Sequence, residues 1–193
     1  MPLGWEGRKI RLVPLEHELH FDNCVRWLND PVVTAWTLIG DYPLTRVAEG
    51  DFFDRVARQS DTDIVFAIEL LAEEREHVGV CGLHNVNYRH GTGVLGIIIG
   101  RPQLWGRGLG SDAIAVMTHY AFDVAGLRLI LSEALAENVA SIRAQLKCGY
   151  QQLGCIPQRY WKRGAFRDAI QFCLTRDDWS RSQAPAAAGA SHA

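Results

Sequence analysis

The sequence predicts an α/β (α+β) protein with a mixed, mainly antiparallel central sheet of about seven strands and helices on both faces. Two observations carry that expectation. The hydrophobic period switches repeatedly between two and about 3.6, giving the order β, α, α, β, β, β, α, β, α, β, β. The run from Val94 to Gly100 is apolar on both faces, as a strand in the middle of a sheet must be.

Arg8 to Pro14 opens as a strand with one wet face, Lys9 and Arg11 alternating with Ile10 and Leu12. Phe21, Cys24, Val25 and Leu28 then recur at helical spacing, and Asn29-Asp30-Pro31 stops that helix. Val47, Phe52, Phe53 and Val56 predict a second helix over residues 45–60. Ile64 to Leu70 and His77 to Val86 read as a hairpin across the acidic connection at residues 72–76, and Tyr88 to Gly93 turns the chain into the apolar strand. From Leu109 through Ala113, Val116, Met117, Tyr120 and Ala121 to Val124 the helical register is unbroken, with Gly126 as its C-cap. Leu127 to Ala136 is the next strand. Val139, Ile142 and Leu146 make a short helix closed by Gly149, and Tyr150 to Tyr160 and Ala169 to Leu174 finish the sheet. The expected organisation is one domain over residues 1–181, then a tail over 182–193 whose small residues have nothing to bury and which is expected to be disordered.

Composition narrows the function classes. The 193 residues include 20 Lys plus Arg against 22 Asp plus Glu, a net charge of -2 that offers no basic excess for nucleic acid. The apolar run at Val94 is far shorter than the roughly 20 residues of a spanning helix, and the N-terminus lacks the pattern of a secretory signal. A cytoplasmic protein with neither membrane nor nucleic-acid partners is therefore expected. Five cysteines without a CxxC pair argue for reduced, mostly buried thiols, and His17 and His20 lack metal-ligand spacing, so no metal is expected.

Seven of the eighteen glycines lie between Gly91 and Gly110, and Gly106, Gly108 and Gly110 fall directly between the buried strand and the long helix. Glycines allow positive φ and close backbone approach, so successive N–H groups can converge where the helix N-terminus already carries partial positive charge. Such a junction binds phosphates; a tight turn without a ligand is the alternative. A P-loop would need a Lys after its last glycine, and a dinucleotide fingerprint a third glycine where Ser111 stands.

The segment Gln103-Leu-Trp-Gly106-Arg107-Gly108-Leu-Gly110 resembles the coenzyme A loop of the GNAT superfamily of acetyl-CoA-dependent N-acetyltransferases. From about residue 8 to residue 179 the chain is similar to the ribosomal-protein N-acetyltransferase-like branch. The similarity lies in Trp27-Leu28-Asn29-Asp30-Pro31, Gly82-Leu83-His84-Asn85, Leu95 to Gly100, Asn138 to Ser141, Lys147 to Tyr150, Arg167-Asp168 and a closing strand at Leu174 to Trp179. The resemblance implies the acyl-CoA N-acyltransferase fold, with acetyl-CoA as co-substrate and a primary amine of a small molecule or protein N-terminus as acceptor. It implies a cofactor site of Ile97, Ile98, Ile99, Gln103, Trp105, Gly106, Arg107, Gly108, Leu109, Gly110, Ser111, Asn138, Ser141 and Lys147, the amides of Arg107 to Ser111 cradling the pyrophosphate. Pantetheine would lie along the strand at Ile97 to Ile99, and a bulge near Ile98 would aim its backbone N–H at the thioester carbonyl.

Transfer to an amine needs a neutral nucleophile, a stabilised oxyanion and a proton for the thiolate. The sequence departs from the resemblance at two of these places. Val94 stands where relatives often carry an acid, which leaves His84 and Glu133 as candidates for the base. Gln145 stands where many relatives carry a tyrosine acid, which leaves Ser141, the serine of the ribosomal branch, as hydrogen-bond donor or acid to the sulfur. Ser141 also reads as a helix cap, His84 as a sheet histidine and Glu133 as a paired carboxylate. The acceptor is expected among Trp36, Tyr42, His84, Glu133 and Tyr160, with Trp161 beside them. The two departures also suggest an alternative from another class, an acyl-CoA-binding regulatory module without efficient turnover. Nothing in the sequence sets the oligomeric state, and a homodimer is compatible with it.

Overall fold

In the structure, a computed structural model, the alternating segments pair into one seven-stranded sheet of order β1-β2-β3-β4-β5-β7-β6. Residues 5–39, 42–57, 62–72 and 75–183 are described. The strands are β1 (Ile10–Pro14), β2 (Ile64–Leu70), β3 (His77–Asn87), β4 (Thr92–Ile99), β5 (Leu129–Leu135), β6 (Gln151–Lys162) and β7 (Ala165–Thr175). Every neighbouring pair is antiparallel except β4 with β5. The helices are α1 (His17–Leu28), α2 (Pro31–Thr34), α3 (Arg46–Ala57), α4 (Leu109–His119), α5 (Val139–Lys147) and α6 (Arg176–Gln183).

The sheet buries both faces, each under its own helices. One core gathers Cys81, Leu83, Leu95, Ile130, Ala134 and Phe172 beneath Ala113, Ile114 and Met117 of α4, with Ile97, Ile99 and Ile142 of α5 packed against it. The other gathers Val65 and Ala67 of β2 beneath Phe21 and Cys24 of α1 and Phe53 of α3. Successive strand residues alternate between these faces.

Three local differences from the sequence expectation have identifiable causes. Asn29-Asp30-Pro31 stops α1 but also starts α2, because the Asp30 carboxylate caps Val32 N–H at 2.8 Å and Pro31 takes the first helical position. β6 and β7 run on to a two-residue turn at Arg163 (φ 51°) and Gly164 (φ 77°), the left-handed pair that closes a tight hairpin. The segment read as a closing strand through Trp179 instead becomes α6: Asp178 N–H donates to Thr175 Oγ1 at 3.1 Å and Thr175 Oγ1 donates back to Asp178 Oδ2 at 2.6 Å, a reciprocal cap. Ser182 and Gln183, expected in the tail, are thus the last turn of α6, and the rest of the tail lies outside the described residues.

Candidate active site

The parallel pair β4–β5 holds for only three positions, Thr92 with Leu129, Gly93 with Ile130 and Val94 with Leu131. Beyond Val94, β4 stays with β3 through Ile99 while β5 stays with β7 through Leu135, so the sheet forks. Gly100 N–H donates to Val78 C=O at 2.9 Å. Counting back by twos along the antiparallel ladder turns Ile98 and Gly96 toward β3, and turns the C=O of Leu95 and the N–H and C=O of Ile97 and Ile99 into the fork. The indole of Trp105 donates to one of those groups, Ile99 C=O, at 2.8 Å.

This geometry corrects the assignment of Ile98. Its N–H belongs to the β3 ladder, whose register runs without interruption from Gly79–Ile99 to His84–Val94. The irregularity lies in β3 between His84 and Asn87, where Asn85 takes φ 50°, a conformation asparagine tolerates. The free edge arises from the fork and not from a bulge in β4, and the backbone donors facing the fork belong to Ile97 and Ile99.

The glycine loop stands at the open end of the same edge. Gly106 (φ 76°) and Gly108 (φ 82°) are both left-handed, and Gly108 is the N-cap of α4. The first i→i−4 bond of the helix runs from Asp112 N–H to Gly108 C=O at 3.1 Å, so the amides of Leu109, Gly110 and Ser111 precede it. The loop itself is exposed. Gln103, also exposed, sets its carboxamide against the Arg101 guanidinium, which pairs with Glu76. Lys147, near the end of α5, precedes Cys148, whose Sγ lies 3.2 Å from Ser111 C=O; the tail of α5 thus abuts the head of α4.

Sequence reasoning missed a cation here. Lys9, taken as part of a wet strand face, donates its ammonium to Arg107 C=O at 2.6 Å, beside Gly108. The Asp112 carboxylate holds it there by accepting the N–H groups of Arg8, Lys9 and Ile10 at 3.1, 2.7 and 3.2 Å. Gly7 has no side chain to block that approach. The loop lacks the lysine of a P-loop in sequence and receives one from β1 in space.

At the start of α5, Asn138 is the cap that Ser141 also suggested, its Oδ1 accepting Ser141 N–H at 3.1 Å. Its Nδ2 donates to Trp36 C=O at 3.1 Å, so the amide expected on pantetheine is engaged within the fold. Ser141 Oγ is left free of capping. Gln145, buried beneath it, accepts the Ser132 hydroxyl and donates Nε2–H toward Ser141 Oγ at 3.4 Å. With one lone pair so occupied, the Ser141 hydroxyl hydrogen is available to another acceptor.

The acceptor residues separate into three groups. Tyr42 lines a cleft of about 550 Å³ with Pro31, Thr34, Trp161 and Arg163, and neither Trp36 nor His84 lines it. Glu133, on the face of β5 opposite Ser132, accepts from the Tyr160 hydroxyl and from Gln171 Nε2 at 2.8 Å, with Arg159 Nε at 3.8 Å. Burial first, then the bond to Glu133, raises the Tyr160 phenol above its ordinary pKa, which makes it a poor acid. His84 pairs with Asp63 beside Gly96. The cysteines offer no thiolate in the cores: burial pushes Cys24 up to about 12 and Cys148 up to about 11.

Comparison with known proteins agrees with this geometry. Residues 9–151 match the family model described as the acetyltransferase (GNAT) domain. The uncharacterized N-acetyltransferase p20 of Bacillus licheniformis is 26% identical over 162 residues, covering 81% of this chain and 87% of its own. Among solved structures, the spermidine N-acetyltransferase of Vibrio cholerae in complex with CoA and spermine superposes with a TM-score of 0.80 at 17% identity, over 89% of this chain and 98% of that one; at that identity the likeness is one of fold. A GCN5-related N-acetyltransferase of Brucella melitensis gives a TM-score of 0.71 at 26% identity, over 91% and 80%. With the family model spanning most of the sequence and the forked sheet and glycine loop in place, the chain belongs to the GNAT acetyltransferase family.

Proposed function

We propose that the protein transfers an acetyl group from acetyl-CoA directly to a primary amine of a small molecule or protein N-terminus, in the manner of the ribosomal-protein branch. The fork carries this reading. Leu95, Ile97 and Ile99 direct a row of backbone groups into a gap in the middle of a sheet, where unpaired polar backbone is costly. A ligand bearing amides at strand-like spacing satisfies that edge as an added strand would, and pantetheine is such a ligand. At the open end of the edge, the amides of Leu109 to Ser111, the dipole of α4 and the Lys9 ammonium favour a diphosphate. The five cysteines are free thiols, which suits the reducing cytoplasm.

The roles follow from position. Ile97 N–H, the donor beyond the deepest fork residue Leu95, faces the thioester carbonyl and stabilises the oxyanion as the amine attacks. Ser141, oriented by Gln145, donates to the sulfur as the C–S bond breaks. Glu133, on the opposite face, gives the acceptor side negative potential that suits a protonated amine.

Titration of acetyl-CoA into the protein, followed by a thiol-release assay with a panel of primary amines, tests the assignment. Binding with amine-dependent thiol release is expected; binding without release from any amine points to the regulatory module instead. Ser141→Ala is expected to lower kcat about tenfold while leaving the acetyl-CoA Kd unchanged, as for an interaction made in the transition state. Lys9→Gln is expected to weaken acetyl-CoA binding about tenfold and to flatten its salt dependence, read by calorimetry at two ionic strengths.

A further inference from the structure

The reaction above still needs a group to take the proton from an acceptor that arrives as an ammonium, and Val94 provides none. We infer that His84 is that general base and that Asp63 is the residue that positions it. This rests on the acetyl-transfer reading and adds to it the group that activates the amine.

His84 lies on β3 directly across from Val94, the last position at which β4 pairs with β5. Its neighbour Leu83 belongs to the core under α4, so His84 projects from the other face of the sheet. Asp63, just before β2, shares that face, and its Oδ1 lies 2.8 Å from His84 Nδ1. A carboxylate accepts from Nδ1–H, which fixes the tautomer that presents Nε2 as an acceptor. Burial alone would raise the Asp63 carboxyl, but the hydrogen bond and charge of His84, with Arg55 4.0 Å away, hold it below its ordinary value and keep it an anion. Nε2 has no partner among the described residues, and the His84 side chain is 37% exposed, so an acceptor from solvent reaches it.

The imidazole lies over Gly96, two residues past the last pair of β4 with β5 and thus at the closed end of the fork. A Cβ placed on Gly96 would stand 3.1 Å from both Nε2 and Cδ2 of His84, so the ring covers the space that this glycine leaves empty. Ile97, whose N–H faces the thioester carbonyl, is the next residue. Were β4 and β5 to continue in register, Glu133 would lie opposite Gly96; its carboxylate is held by Tyr160, Gln171 and Arg159 across the gap. Among the described residues, the charged groups on this side are Asp63 and Arg55, with Glu133 and Arg159 on β5 and β6 across the gap. Ser141 sits on α5, which packs on the opposite face of the sheet. Base and leaving-group donor therefore flank the fork from its two faces.

The protons balance. Nε2 takes the first proton from the ammonium and later returns it to solvent. The freed nitrogen lone pair forms the C–N bond, and collapse of the tetrahedral intermediate breaks the C–S bond. The second nitrogen proton passes to the departing sulfur, leaving an amide and a free thiol.

The test pairs two acceptors with one variant. Butylamine is an ammonium at neutral pH, whereas trifluoroethylamine is already neutral and needs no base. His84→Gln is expected to lower kcat/KM for butylamine about 100-fold, while costing less than about threefold with trifluoroethylamine and nothing in acetyl-CoA affinity. In the protein without substrate, nitrogen-15 NMR is expected to find the His84 proton on Nδ1, and Asp63→Asn to shift it toward Nε2. Equal losses with both amines, or a proton on Nε2 in the unsubstituted protein, would overturn the assignment of His84 and leave acetyl transfer standing. Acetyl-CoA binding without thiol release from either amine in the unsubstituted protein would remove acetyl transfer, and the base with it.

Discussion

Replacing Gly108 with Asp is expected to weaken acetyl-CoA binding by at least about 100-fold, some 2.7 kcal/mol, without unfolding the protein. The backbone there is left-handed, φ 82°, which favours glycine but which Asp tolerates better than most residues, and a Cβ at this position meets nothing nearer than Lys9 Nζ at 3.6 Å. The new carboxylate would therefore reach the Lys9 ammonium and occupy the place of the diphosphate, beside the same amides of α4. Loss comes twice over, from repulsion of the incoming anion and from competition for its cation. Calorimetric titration of coenzyme A is the measurement, with the thermal transition as a control for folding. Gly108→Ala separates the two causes, since it adds backbone strain without charge and is expected to cost far less. Equal affinity for Gly108→Asp and the unsubstituted protein would remove the phosphate assignment of the loop.

The loop was legible because its signal is local. Three glycines at alternate positions between an apolar strand and a long helix have few structural uses, and the left-handed values at Gly106 and Gly108 are what such spacing permits. The strands and main helices were legible for the same reason: periodicity of two or 3.6 is written within a window of a few residues. What stayed illegible depends on pairing between distant segments. The fork is a matter of where β4 stops pairing with β5, and nothing within Val94 to Gly100 marks Val94 as the last paired residue. Because ladder parity follows from the partner strand, Ile98 and Ile97 were indistinguishable in sequence, and the structure turns Ile97 N–H into the fork and Ile98 N–H toward β3.

The site charges divide in the same way. Lys9 and Arg107 are 98 positions apart, and Asp112 meets Lys9 N–H across 103, so no spacing rule finds them. His84 could be named from sequence as one of two candidate bases, but its partner could not, because Asp63 lies 21 residues away, just before β2. Gln145 looked like a loss where a tyrosine was expected. In the structure it is a buried link between Ser132 and Ser141, which converts the change into a hydrogen-bond relay. Asn138, named from sequence for a ligand's amides, also caps α5 and ties down Trp36, contacts that no local pattern announces.

Gly100→Ala is expected to damage the fold severely, lowering stability by about 3 kcal/mol and the thermal midpoint by roughly 6–12 °C for a domain of this size. Gly100 directly follows β4, is buried, and donates its N–H to Val78 C=O at 2.9 Å. The indole of Trp27 lies directly over it, so a Cβ there would fall far inside the van der Waals radius of three ring carbons. Trp27 cannot yield cheaply, being 3% exposed and packed against the His77 ring at 4.6 Å between centroids. Moving it shifts α1 against the sheet on the face where His84 meets the fork, so activity is expected to fall with stability. Calorimetry decides the matter, and a midpoint within about 2 °C of the unsubstituted protein would show the contact to be soft. A double-mutant cycle gives the sharper test. Trp27→Leu alone opens a cavity and destabilises, but it makes room for the methyl of Gly100→Ala, so the pair together is expected to cost less than the sum of the two. Simple additivity would mean that the glycine is needed for its backbone freedom and not for the ring that rests on it.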